Sequence, residues 1–235
     1  MSDTDIRPLT GASDGSAIDA PSPPAHQRRK AERPHELVDA ALALFVEKGF
    51  AATRIDEVAR RAGVSKGTLY LYYASKEELL KAVISDRLST EIAAAAQAVA
   101  EHTGSSAELL TDMLAHWWAR VIASDASGVF KLIITEVRNF PEIADFYRRE
   151  VIEPGHALIA QILVRGIASG EFRPVDVDAT VHSLLLPMVM LCVHRHSLGV
   201  CEPNELQQDP LGFIQHHMNL ILRGLAAPAE RAPAS

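Results

Sequence analysis

A chain of 235 residues with 48% apolar content is long enough to bury a substantial core. It has no uninterrupted apolar run near the roughly 18 residues needed to cross a bilayer. There is no apolar leader behind the acidic N-terminus, and the only cysteines are Cys192 and Cys201, so a membrane span, a secretory signal and a disulfide framework are not expected, and a cytoplasmic protein is.

The net charge of −7 argues against a nucleic-acid partner until it is divided along the chain. Residues 26–85 sum to +3, residues 1–25 to −3 and residues 86–235 to −7. A basic segment joined to an acidic body is the asymmetry expected when one part meets phosphate and the other does not.

Residues 1–27 are rich in Ser, Asp, Pro and Ala without apolar periodicity and read as a disordered tail. The basic cluster Arg28, Arg29, Lys30 and Arg33 follows, either a minor-groove arm or a soluble flank. From there the pattern is helical. Leu37, Ala40, Ala41, Leu44 and Phe45 recur at the spacing of one buried helix face, and Gly49-Phe50 supplies a left-handed stop. Thr53-Arg-Ile-Asp56 reads as a capping box opening a short second helix, with Thr53 as N-cap. Gly63 turns the chain and Ser65 caps a third helix from Lys66 to Tyr72. Ser75 caps a fourth that continues to about His102. Helix, turn and helix within a three-helix bundle is the arrangement that places a short helix in the DNA major groove.

The third helix suits that task. Gly67 permits close backbone approach, Ser65, Lys66 and Thr68 can address base edges, and Tyr70 and Tyr72 can donate to phosphate. Lys76 stands at the start of the fourth helix, where free N–H groups favour an anion. Thr53 and Ser75 would be wanted as caps without any DNA, and Lys66 could be a solvated lysine. Leu69 and Tyr73 are the expected buried members of this stretch.

Beyond residue 104 the chain continues as amphipathic helices. An apolar stripe runs from Leu109 to Ile122, and another from Val129 to Val137 ends near Phe140-Pro141. A helical stretch from Ile143 to about Ala168 could break at Pro154-Gly155, and a turn follows at 170–174. An apolar helix over about 177–198 contains Pro187, a loop covers 199–210, and a last helix spans 211–225 before a short tail at 227–235. No useful strand pattern appears, and the fold class is all-α. The division expected is a helix-turn-helix domain over 28–85 and a larger helical domain over 86–226.

The run from Ala51 to Leu79 closely resembles the DNA-binding signature of TetR-type regulators, above all Ser65-Lys-Gly-Thr-Leu-Tyr70 followed by Tyr72-Tyr73 and Ser75-Lys76-Glu77. The resemblance covers about 50 residues, and Tyr73 stands where the family usually shows Phe. The segment Glu136–Tyr147, continuing to Pro154, resembles a subset of the same regulators. The resemblance implies that Thr53, Tyr70, Tyr72 and Lys76 clamp phosphates while Lys66, Gly67 and Thr68 face bases. It implies a C-terminal domain that binds an effector and dimerises through helices near 177–198 and 211–225. The apolar excess at Leu184, Leu185, Val189, Phe213, Ile214, Met218 and Ile221 agrees with a homodimer.

An effector cavity lined by Met113, Trp117, Phe130, Ile133 and Leu163 is expected, each of which could equally be plain core. Few charges interrupt these helices, so the expected effector is small and apolar or amphipathic. No cofactor is expected, and no metal: His194 and His196, which with Cys192 and Cys201 could be ligands, stand two apart and diverge on a helix, and the adjacent His216 and His217 rarely share an ion. No phosphate loop, HExxH or GxSxG motif is present, so an enzyme is not expected. A double-stranded DNA partner and a ligand-responsive repressor are the leading reading, and an effector-independent DNA organiser is the alternative.

Overall fold

In the computed structural model the described residues are 25–197, 199 and 208–226, with side chains described from residue 32. The expected tails lie outside this range apart from residues 25–27, which open the first helix, and most of the 199–210 loop lies outside it too. The described residues divide into two units, one ending at Arg33 and the other starting at Pro34. Among the described residues no strand forms, and one antiparallel bridge joins Phe172 to Ala226.

Four helices begin the chain: α1 (Ala25–Lys48), α2 (Ile55–Arg61), α3 (Lys66–Tyr72) and α4 (Lys76–Ile84). Their apolar faces meet in one core built from Leu37, Ala41, Phe45, Val58, Leu69, Leu79, Leu80 and Val83. Gly49, with φ of +86°, ends α1 in the left-handed conformation that glycine adopts without a Cβ penalty. Phe50 then folds into the core with its ring centre 5.2 Å from that of Phe45. Ion pairs Arg61–Glu47 and Lys48–Glu57, each at 2.9 Å, tie α2 back to α1.

The fourth helix runs on past residue 85, where the domain boundary was expected, to the neighbourhood of His102. It passes through a π-helical turn (Ser85–Ser89) into α5 (Thr90–Glu101), so one continuous helical run links the N-terminal bundle to the body. The turn between α5 and α6 (Ser106–Glu108) is held by two side chains. Arg165 donates to the carbonyls of His102 and Gly104, and the Glu171 carboxylate accepts the backbone N–H groups of Ser106 and Ala107 at 2.8 Å each. A second π-helical turn (Leu109–Leu114) leads into α7 (Ala115–Ala123).

Next come α8 (Ser127–Glu136) and, after a short 3₁₀ turn at Val137–Asn139, α9 (Pro141–Tyr147). Gly128 lets α8 approach α1 closely, since a Cβ there would sit 2.4 Å from the Val46 Cγ2. The break expected at Pro154-Gly155 does not occur. A third π-helical turn (Arg148–Ile152) carries α9 directly into α10 (Glu153–Ala168), and its wider winding accommodates a proline that has no N–H to donate. Gly170, with φ of +77°, turns the chain into α11 (Val177–Arg195), which has Pro187 inside it. Asp209 caps the last helix, α12 (Pro210–Leu225), by accepting from the Gly212 N–H at 2.9 Å.

Two stretches, Pro141–Ala168 and Val177–Arg195, prove long and apolar enough to cross a membrane by length and composition, where none was expected. The first is this long because the π-helical turn carries α9 into α10 without a break at Pro154. That stretch carries Arg148, Arg149 and Arg165, and both stretches turn a face to a cavity in the helical body.

Candidate functional site

Helix α3 is held at its N-terminus by Ser65, whose Oγ accepts the Thr68 N–H at 3.0 Å. The Ser65 and Thr68 hydroxyls lie 2.8 Å apart and satisfy one another. Leu69 is fully buried and anchors the helix, which leaves Lys66, Gly67, Tyr70 and Leu71 exposed along its free face. Tyr72 is half-buried. Tyr73 is half-buried too, donating its hydroxyl to the Pro34 carbonyl at 3.4 Å, and burial pushes its phenol above the usual value. Six of the eight residues expected to meet DNA (Ser65, Lys66, Gly67, Thr68, Tyr70 and Tyr72) thus gather on one short helix and its cap.

The other two do not present their side chains to that surface. Thr53 is only 2% exposed, and its hydroxyl donates inward to the carbonyls of Gly49 (2.8 Å) and Leu44 (3.2 Å). The N-cap of α2 is Arg54, whose backbone N–H donates to Glu57 at 3.2 Å. Thr53 therefore closes the α1–α2 turn and does not cap the second helix. Lys76 turns inward as well. Its Nζ donates to the carbonyls of Phe50 (2.8 Å), Thr53 (3.0 Å) and Ala51 (3.2 Å), and lies 4.5 Å from the centre of the Phe50 ring. A lysine with all three donors so occupied is a clamp on the turn. It offers no free donor to phosphate.

Two exposed side chains of this surface were not among the expected site residues. Arg54 stands at the start of α2 beside Asp56 (3.4 Å). The Asp56 carboxyl is held below its ordinary range first by a backbone hydrogen bond, then by Arg54 and Lys66. Leu71 is the second. The exposed start of α2 could have been found by placing the cap one residue later. Leu71 could have been found from its spacing of two from the buried Leu69.

The body contains an open cavity of about 810 Å³, within the range of roughly 300–1,000 Å³ common for small-molecule sites. Met113, Trp117, Phe130 and Ile133 line it. Leu163 does not: it is fully buried in the core, while Ile159 and Ile162 supply the α10 wall. Trp118, Tyr147, Val151, Leu185 and Val189 add to the apolar lining. Burial lifts the Tyr147 phenol far above its usual value and keeps it neutral. All three π-helical turns contribute wall residues: Leu88 from the first, Met113 and Leu114 from the second, Arg148, Val151 and Ile152 from the third.

Polar groups of the lining were missed by sequence reasoning because they are scattered over four helices. Arg120 pairs loosely with Glu91 at 4.0 Å. Arg148 is held by Asp145 and Glu153. His156 lies 3.3 Å from Asp178, and its ring centre is 5.6 Å from that of His182. The indole N–H groups of Trp117 and Trp118 are buried without a hydrogen-bond partner. A wall that is mostly apolar, with Arg120 and Arg148 among its few polar groups, suits an amphiphile. Cys192 is fully buried, and burial pushes its thiol up to about 12, so it is neither a nucleophile nor a thiolate ligand. Among the described residues no three potential ligands come together for a metal, and Cys201 lies outside them.

Two family models match the chain: the N-terminal one, described as bacterial regulatory proteins of the tetR family, over residues 37–83, and the tetracyclin repressor-like C-terminal domain over residues 100–199. The chain is 30% identical over 177 residues to the HTH-type transcriptional regulator YfiR of Bacillus subtilis, covering 71% of this chain and 81% of that protein. It is 29% identical over 217 residues to the transcriptional repressor KstR2 of Mycolicibacterium smegmatis, covering 89% and 95%. Among solved structures, the regulator FadR of Bacillus subtilis in complex with stearoyl-CoA shares the fold at a TM-score of 0.67 and 20% identity, covering 81% of this chain and 98% of that one. With a matching head, a matching body and such relatives, the chain belongs to the TetR family: it is a DNA-binding transcriptional regulator and not an enzyme.

Proposed function

We propose that this protein is a cytoplasmic one-component repressor whose dimer binds a palindromic operator and releases it when an amphiphilic effector fills the body cavity. The cavity itself carries this reading: about 810 Å³ of mostly apolar space is what an effector-independent organiser, filled by its own side chains, would lack. Lys66, Gly67 and Thr68 face bases, and Tyr70 and Tyr72 reach phosphate, while Thr53 and Lys76 act on DNA only through the turn they hold. Two copies place their α3 helices about one duplex turn, roughly 34 Å, apart. The partner copy packs on α11 and α12, where Met190 and Leu220 are exposed. The stearoyl-CoA bound to FadR gives the effector class to try first, a long acyl chain for the apolar wall with an anionic head for Arg120, Arg148, His156 or His182.

A genome-fragment pull-down with the purified protein, followed by titration of the recovered fragment with stearoyl-CoA, tests both parts. The expected result is one palindromic sequence, and release of it by micromolar stearoyl-CoA but not by free CoA. Because coupling is reciprocal, operator DNA must weaken effector binding by the same factor. Diffuse, salt-sensitive binding without a palindrome would overturn the repressor reading. A palindrome that no amphiphile releases would favour the organiser.

A further inference from the structure

Helix α3 has seven residues, and its packing buries only one side. Leu69 is on that side at 0% exposure. Leu71, two positions on, is carried about 200° round the helix and is 84% exposed, more than any other large apolar side chain among the described residues. It lies one helical turn beyond Gly67 and next to Tyr70, on the side where Lys66 is also exposed. Such a side chain adds nothing to the fold. On the floor of the major groove, the apolar group a base pair presents is the C5-methyl of thymine. Gly67, with no side chain, allows the helix backbone to come close enough for a leucine one turn further on to reach it.

We propose that Leu71 is a specificity-determining residue that packs against a thymine C5-methyl, so that each operator half-site carries a thymine at one fixed position opposite the last turn of α3. The proposal rests on the assignment of α3 to the major groove. It adds an apolar contact to a face otherwise made of Lys66, Gly67, Thr68 and Tyr70.

The test replaces each thymine of the recovered operator in turn by deoxyuridine, which pairs identically and lacks only the methyl. For the wild-type chain, one symmetry-related pair of positions should lower affinity about fourfold per half-site, the worth of one buried methyl, and about fifteenfold when both are changed. Leu71→Ala, at so exposed a position, should melt at the wild-type temperature. It should bind the thymine operator more weakly and be indifferent to deoxyuridine at that same pair. A wild-type chain indifferent to every deoxyuridine, or a Leu71→Ala variant that keeps the full penalty, would overturn the proposal while leaving the repressor intact. Failure to recover any palindromic operator would instead overturn the repressor reading, and this proposal with it.

Discussion

Lys76 carries part of the recognition signature, yet its side chain is turned into the fold. Its ammonium group gathers three carbonyls from residues 50–53 and covers the Phe50 ring, so removing it leaves a tight turn without its cap. Hydrogen bonds to a charged group are worth about 1.5–3 kcal/mol, and Lys76→Ala should cost about 2 kcal/mol of stability in a urea titration. Operator affinity would fall with it, but the salt dependence of binding, which counts phosphate contacts, should keep its wild-type slope. His196 is a second such residue. Its Nε2 lies 2.8 Å from the buried Ser127 hydroxyl, and burial, then Arg195 and Lys131, push its pKa below the ordinary 6.5 against the opposing pull of Asp125. A base that resists protonation when folded contributes stability above its unfolded pKa and loses it as pH falls below that value. Melting temperature should therefore drop between pH 7 and pH 5, and His196→Gln should flatten that slope. An unchanged slope would remove His196 from the acid response.

At the scale of elements, the junction between head and body is aromatic. Phe140, at the start of α9, sets its ring 4.8 Å from that of Phe50 at nearly a right angle, and α9 with the π-helical turn after it supplies Ala144, Tyr147 and Arg148 to the cavity wall. One helix thus touches both the space an effector would fill and the turn that Lys76 clamps. An edge-to-face pair is worth about 0.5–1.5 kcal/mol. Phe140→Ala should leave effector-free operator binding within about threefold of wild type and reduce effector-driven release about tenfold, read as the ratio of operator Kd with and without stearoyl-CoA; an unaltered ratio would place the coupling elsewhere. The helices themselves were legible in the sequence wherever a local signal exists. Ser65, Ser75, Gly49 and Gly63 are where caps and turns were expected, because those signals act within a few residues. The misreadings came where tertiary contact decides. Thr53 looked like a cap until its hydroxyl found the carbonyls of α1. Leu163 stands one position round α10 from the wall, an offset of 100° that helical periodicity alone does not orient. The π-helical turns carry no local signal in the pattern of apolar residues, so Pro154 read as a break.

For the whole molecule, the proposed palindromic operator needs two α3 helices held at fixed separation, which one chain does not supply. Met190 on α11 and Leu220 on α12 are exposed and belong to the surface proposed for the partner copy. Leu220→Asp should shift the protein toward monomer in sedimentation equilibrium and weaken operator binding by orders of magnitude, while the helical signal in circular dichroism stays intact. A dimer that survives the change would move the interface off α12. The cavity carries one more consequence. The chain has two tryptophans, Trp117 and Trp118, whose rings meet at 4.9 Å in its wall. All of the protein's tryptophan fluorescence therefore originates beside the cavity, and with no other indole to dilute the signal, any compound that enters should shift or quench the emission. The protein is its own optical sensor, and a library of amphiphiles can be screened against it unlabelled, before its operator is known.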